Sequence, residues 1–125
     1  MAKDMEKNTY KIQSGDGIGE VQIADEVIAI IAGLAAMEVK GVASMAGNIT
    51  KELVSKLGMK NLSKGVEVEV IGTTASVILS LNLEYGYSIP AVSAKVQERV
   101  KAAIQNMTGL EVLDVNIRIA SVELP

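Results

Sequence analysis

Residues 86–123, GYSIPAVSAKVQERVKAAIQNMTGLEVLDVNIRIASVE, read without a gap as a turn, a capped amphipathic helix, a glycine stop and a long alternating strand. No other stretch limits the fold so tightly. Ser88 supplies an N-cap, and Pro90 falls in the first helical turn, where a missing N–H does no harm. Ile89, Val92, Val96, Val100, Ala103, Ile104 and Met107 make an apolar stripe, with Lys95, Glu98, Arg99, Lys101 and Gln105 on the wet side. Gly109 suits the left-handed residue that ends a helix. The strand after it turns Leu113, Val115, Ile117 and Ile119 inward and Asp114, Asn116 and Arg118 outward. Its phase breaks near Ala120–Ser121, since Val122 and Leu124 fall on the other face, which predicts a bulge or a strand end.

The residues upstream fit the same frame. Residues 1–17 read as a flexible polar N-terminal arm closing on the turn Gly15-Asp16-Gly17, and residues 18–125 as a single domain. A short strand with Val21 and Ile23 inward precedes a helix that starts near Asp25, whose carboxylate suits the cap, and ends before Gly41. Val42–Met45 suggests a short strand; Ile49, Leu53 and Leu57 suggest a brief helix closed by Gly58. Val66, Val68 and Val70 alternate with Glu67 and Glu69, and Gly72-Thr73-Thr74 turns the chain. The return strand puts Ala75, Val77, Leu79, Leu81 and Leu83 on one face and Ser76, Ser80, Asn82 and Glu84 on the other. One-sided strands with two packing helices predict an α+β two-layer sandwich, its sheet mainly antiparallel and its two main helices packed on one face.

What is missing limits the chemistry. The chain has no His and no Cys, so the commonest general base, thiolate nucleophiles, disulfides and imidazole- or thiolate-bound metals are excluded. Its only aromatic residues are Tyr10, Tyr85 and Tyr87, which predicts an aliphatic core and few platforms for stacking bases. A net charge of -3 gives no global attraction to nucleic acid or anionic lipid. The polar start MAKDMEKNTY carries no signal peptide. The longest uncharged apolar run, Val27 to Met37, has eleven residues, against the roughly 20 that a membrane-spanning helix needs.

The motifs that resemble sites have plainer readings. Gly15, Gly17 and Gly19 precede a strand, not a helix, so they make a turn rather than a phosphate cradle. Asp25 and Glu26 suit a helix start. Ser-x-x-Lys and Gly-x-Ser-x-Gly do not occur. No catalytic, cofactor-binding or metal-ligating residue is therefore expected, and no small-molecule substrate is evident.

Two surfaces remain. In the first helix Val27, Ile28, Ile30, Ile31, Leu34 and Met37 cover one broad side, while Ala29, Ala32, Gly33 and Ala36 form a small-residue stripe opposite them. A helix apolar all round is covered on both sides, and this stripe is the candidate interaction surface for another helix or a second subunit. Lys51, Lys56, Lys60 and Lys64 make a second candidate, for electrostatic docking; without aromatic or Arg interleaving it is a weak case for a nucleic-acid-binding module. Tyr85 and Tyr87 read as packed rings with their hydroxyls at the surface.

The segments GEVQIADEVIAIIAGLAAMEVKGVASMAGN at 19–48, KGVEVEV at 64–70 and LEYGYSIPAVSAKVQERVKAAIQNMTGLEVLDVNIRIASVEL at 83–124 together resemble the alkaline shock protein family, envelope stress response proteins of Gram-positive bacteria. The resemblance implies a non-enzymatic scaffold with no catalytic residues to carry over. It implies a cytoplasmic protein that self-associates as a homo-oligomer or docks on a membrane-anchored protein partner at the inner face of the cell membrane. For other branches it implies regulation of fatty-acid synthesis by protein contact, and NMTGLEVLDVNI is similar to such a branch.

Overall fold

A computed structural model of the protein describes residues 9–13, 20–46 and 59–124. In chain order the elements are β1 (Thr9–Gln13), β2 (Glu20–Ala24), α1 (Asp25–Met37), β3 (Val42–Met45), a 3₁₀ helix (Met59–Gly65), β4 (Val66–Ile71), β5 (Thr74–Glu84), α2 (Ile89–Thr108) and β6 (Glu111–Glu123). The class is α+β, as expected, with α1 and α2 packed on each other and against the main sheet.

β5 is the strand around which that sheet is built. One edge of β5 pairs antiparallel with β4, from Val66↔Leu79 to Ile71↔Thr74, and with β3, through Val42↔Leu83 and Met45↔Leu81. The other edge pairs along its whole length with β6, from Thr74↔Glu111 to Glu84↔Glu123, and this pair is parallel. Parallel neighbours cannot be joined by a tight turn; they need a crossover, and α2 is that crossover. The expected antiparallel sheet thus holds for β3 and β4, with β6 the exception. β1 and β2 form a separate antiparallel ribbon, from Thr9↔Ala24 to Gln13↔Glu20. A strand at Thr9–Gln13 falls inside the expected arm: TYKIQ is too short and polar for its alternation to stand out from coil. The remainder of that arm lies outside the described residues, as does the brief helix expected at Ile49, Leu53 and Leu57.

The core is aliphatic. Ala75, Val77, Leu79, Leu81 and Leu83 of β5 are buried in one cluster with Val92, Val96, Val100 and Ile104 of α2 and with Ile28, Ile31, Ala32 and Ala35 of α1. Each large aliphatic side chain hidden in this way contributes about 1.5–3 kcal/mol. The α2 contacts fall at every fourth position, a row that slants across the helix surface, so the ends of the expected stripe, Ile89 and Met107, stay exposed.

The ends of α2 follow its sequence. The Ser88 hydroxyl accepts the Ala91 N–H at 3.4 Å, and Gly109, at φ 78°, donates its N–H to the Gln105 carbonyl. Thr108 closes the last turn, its hydroxyl donating to the Ile104 carbonyl and accepting the Leu110 N–H. The start of α1 differs from expectation. Its N-cap is Ala24, which has no capping side chain, while Asp25 is already helical and its buried Oδ1 has no hydrogen-bond partner. α1 also ends at Met37 with Glu38 as C-cap, four residues short of Gly41. Gly41 serves a close approach instead: at φ 104°, a Cβ on it would lie 2.8 Å from Val92 Cγ2 and 3.0 Å from Tyr87 Cδ1.

β6 carries two bulges. Its register against β5 shifts between Ala75 and Ser76 and again between Leu81 and Asn82, leaving Leu113 and Ala120 as the extra residues. The second is the bulge expected near Ala120–Ser121. The first turns Leu113 outward to 61% exposure while Leu110 and Val112 are buried, so Leu113 leaves the expected inward set. Asn82, expected on a wet face, is only 4% exposed. Its amide donates to Ser44 Oγ at 2.9 Å and to the Met45 carbonyl at 3.3 Å, and its Oδ1 accepts the Ser121 hydroxyl at 2.8 Å. β3, β5 and β6 are thereby tied across the sheet.

Candidate interaction surface

The small-residue stripe of α1 is interior. Ala29, Ala32, Gly33 and Ala36 are all buried within the chain, and a Cβ on Gly33 would stand 3.0 Å from Leu62 Cβ of the 3₁₀ helix. What approaches closely is this chain's own 3₁₀ helix, so the stripe is a packing surface and not one open to a second molecule. The opposite side is the wetter one: Ile28, Ile31 and Met37 are buried, but Val27 and Leu34 are exposed. With apolar residues on both sides of the helix, the sequence holds no polarity contrast that would have chosen between them.

The lysine candidates are not gathered by the described residues. Lys51 and Lys56 lie outside them, Lys60 stands in the 3₁₀ helix, and Lys64 is exposed at its end. Glu67 and Glu69 are exposed on β4, and Glu84 lies at the far end of β5. Among the described residues no group of three or more carboxylates is arranged to hold a metal ion, and no helix is long and apolar enough to cross a membrane.

An apolar surface forms instead where β5 turns into α2. Gly86, at φ 101°, permits the tight turn that presents Tyr85 and Tyr87 on either side of it. Two backbone bonds fix the turn: Glu84 N–H to the Gly41 carbonyl at 2.8 Å, and Tyr85 N–H to the Glu123 carbonyl at 2.9 Å. A recess of about 680 Å³ opens here, lined by Leu83, Tyr85, Tyr87, Ile89 and Val122 among others. A second recess, of about 410 Å³, shares Glu84 and Tyr85 and extends to Ala43 and Leu124. Tyr85 is 66% exposed, Val122 42% and Leu124 74%. Val122 pairs with Leu83 in register, so it belongs to the inner face of the sheet at the end where α2 begins. The Tyr87 ring lies against Gly41 and is 38% exposed, so of the two tyrosines it is the one nearer to the packed ring expected.

Sequence reasoning took both tyrosines as packed rings and missed the surface they border. The available signal was the phase break after Ala120, which sends Val122 back to the face of Leu83. Exposed apolar side chains gathered around a recess, one of them a tyrosine with its polar tip, suit a protein contact better than a reaction.

A profile of the alkaline shock protein 23 family, described as having a cell envelope-related function, matches residues 13–124. The uncharacterized protein YqhY of Bacillus subtilis (strain 168) is 41% identical over 106 residues, covering 85% of this chain and 78% of that protein. The stress response regulator gls24 homolog of Streptococcus pyogenes serotype M3 (strain SSI-1) is 30% identical over 118 residues, covering 94% of this chain and 66% of that protein. Among solved structures, a MamM-CTD variant superposes with a TM-score of 0.50 over 80% of this chain and 100% of its own, at 12% identity, a likeness of fold alone.

Proposed function

This chain belongs to the alkaline shock protein 23 family, a family of cell envelope-related function with stress response regulators among its relatives, and we propose that it acts as a non-catalytic scaffold. In this reading it works in the cytoplasm at the inner face of the cell membrane, self-associating and docking a membrane-anchored protein partner. The observation that supports it is the exposed apolar set of Tyr85, Val122 and Leu124, with Val122 at the recess between β5, α2 and β6 and Leu124 at the adjoining one. The cluster sits on fixed backbone and spans two recesses that share Tyr85. That arrangement suits a partner's apolar segment, since preformed apolar contacts spare the ordering cost of binding.

The test is affinity capture of the full chain from cells, with and without detergent, beside Tyr85→Glu and Leu124→Glu variants. A small membrane-anchored protein, recovered only with detergent and lost in both variants, is the expected result. Capture unaffected by either substitution would remove the recess from the interface. Recovery of a soluble carboxylase subunit would move the reading to regulation of fatty-acid synthesis by protein contact. Retention of nucleic acid that falls steeply with salt would move it to a nucleic-acid-binding module.

A further inference from the structure

β6 pairs with β5 along one edge only, and no strand among the described residues meets its other edge. Sheets normally guard such an edge with lysine, proline or a covering element, because its unpaired N–H and C=O groups recruit other strands. β6, EVLDVNIRIASVE, contains neither lysine nor proline. Its guards are the two bulges, which lie outside Asp114–Ile119, and the Gln97 side chain of α2, which donates to the Val115 carbonyl at 2.9 Å. A carbonyl oxygen has a second lone pair, so that bond does not close the position to another donor.

The stretch between the two bulges, Asp114 to Ile119, is regular and continuous in register. It is also self-complementary about Asn116. An antiparallel pairing of two copies with the two-fold axis at Asn116 sets Asp114 opposite Arg118, Val115 opposite Ile117, and Asn116 opposite itself. No other two-fold register brings the acid and the base of this stretch together. A centre at Asp114 opposes two carboxylates, and a centre at Arg118 opposes two guanidiniums. Asp114, Asn116 and Arg118 are all exposed on the outer face of the sheet, and Asn116 Nδ2 donates to Asp114 Oδ2 at 3.2 Å, which steadies the carboxylate beside the axis. Between this edge and α2 runs a groove of about 640 Å³, bordered by Ala94, Gln97, Glu98 and Lys101, with room for the inward side chains of an added strand.

We infer that the partner at this edge is a second copy of the chain, with the two β6 strands paired antiparallel about Asn116 so that one sheet continues through both molecules. The inference rests on the self-association in the proposed function and names the surface that carries it. Two-fold symmetry doubles each cross-strand ion pair, and opposed like charges in a sheet are destabilising.

The experiment measures the mass of the full chain in solution over a range of concentrations. Asp114→Arg and Arg118→Asp are each expected to weaken the dimer about tenfold or more, and the double variant Asp114→Arg with Arg118→Asp to restore it. Circular dichroism checks that each variant is folded. Because the chain has no cysteine of its own, register is tested separately by oxidation: Asn116→Cys is expected to cross-link to its copy, and Arg118→Cys is not. A wild-type dimer indifferent to both charge reversals would overturn this surface and leave self-association standing. A wild-type chain that stays monomeric throughout would overturn both.

Discussion

Asn82 on β5 and Ser44 on β3 share a 2.9 Å hydrogen bond in a buried part of the sheet. The same amide group reaches Met45 on β3 and Ser121 on β6, so one side chain satisfies groups from two neighbouring strands. Asn82→Ala leaves the buried Ser44 hydroxyl and Met45 carbonyl without their donor, at an expected cost of about 2–4 kcal/mol, while the exposed Ser121 hydroxyl turns to water. Asn82→Asp keeps the acceptor toward Ser121 but cannot donate to the Met45 carbonyl when ionised, and at neutral pH it is expected to cost more than Asn82→Ala. Urea titration followed by circular dichroism reads both. Unchanged midpoints would show that the network does not stabilise the sheet.

Gly41 and Gly86 share nearly the same backbone angle, φ 104° and 101°, in different surroundings. Alanine at Gly86 meets nothing within 4 Å, so only the positive-φ strain remains, about 1–2 kcal/mol. Alanine at Gly41 adds a contact of 2.8 Å with Val92 and 3.0 Å with Tyr87, which raises the expected loss to about 2–4 kcal/mol. Equal melting temperatures for the two variants would contradict this ranking.

The two helices start differently, which gives a paired experiment. Ser88→Ala removes the cap of α2 and is expected to cost about 1 kcal/mol. Ala24 already has the extended geometry of an N-cap but no side-chain acceptor, so Ala24→Ser is expected to gain about 0.5–1 kcal/mol. Stability changes of the same sign in both variants would refute the capping argument.

The Arg99–Glu38 ion pair, at 3.5 Å, joins α2 to the end of α1 with both side chains exposed. Exposed pairs contribute about 0–1 kcal/mol, less in salt. Arg99→Ala is therefore expected to shift the urea midpoint little, and no further at high salt than at low. A large shift would mean that the Arg99 stem packs on α1 more than its exposure suggests.

The sequence showed most where the deciding chemistry is local. Ser88 and Gly109 bracket α2 because caps act on their own turn, and the phase break after Ala120 marked a real bulge. The bulge at Leu113 left no such mark, since Val112 and Leu113 are both apolar and either could face inward. The direction of β6 was hidden because alternation is the same in parallel and antiparallel strands. At α1, apolar residues on both sides concealed which side the sheet and the 3₁₀ helix would cover, and of the two occupants expected on the stripe, another helix or a second subunit, the chain's own 3₁₀ helix is the one found there. The two recesses at Tyr85 needed Val122 and Leu124, brought in from the end of β6, and their arrival depends on a register no local pattern encodes.

The parallel pairing of β5 with β6 has a consequence in time. Translation delivers Ser121 39 residues after Asn82, an interval of roughly 2–8 s at about 5–20 residues/s. During that interval β5, the most buried strand among the described residues, is present on the nascent chain with one whole side unpaired. The hairpin of β4 and β5 can form early, yet the core closes only when β6 emerges. A synonymous change that slows the ribosome between α2 and β6 lengthens this window without altering a single residue of the product.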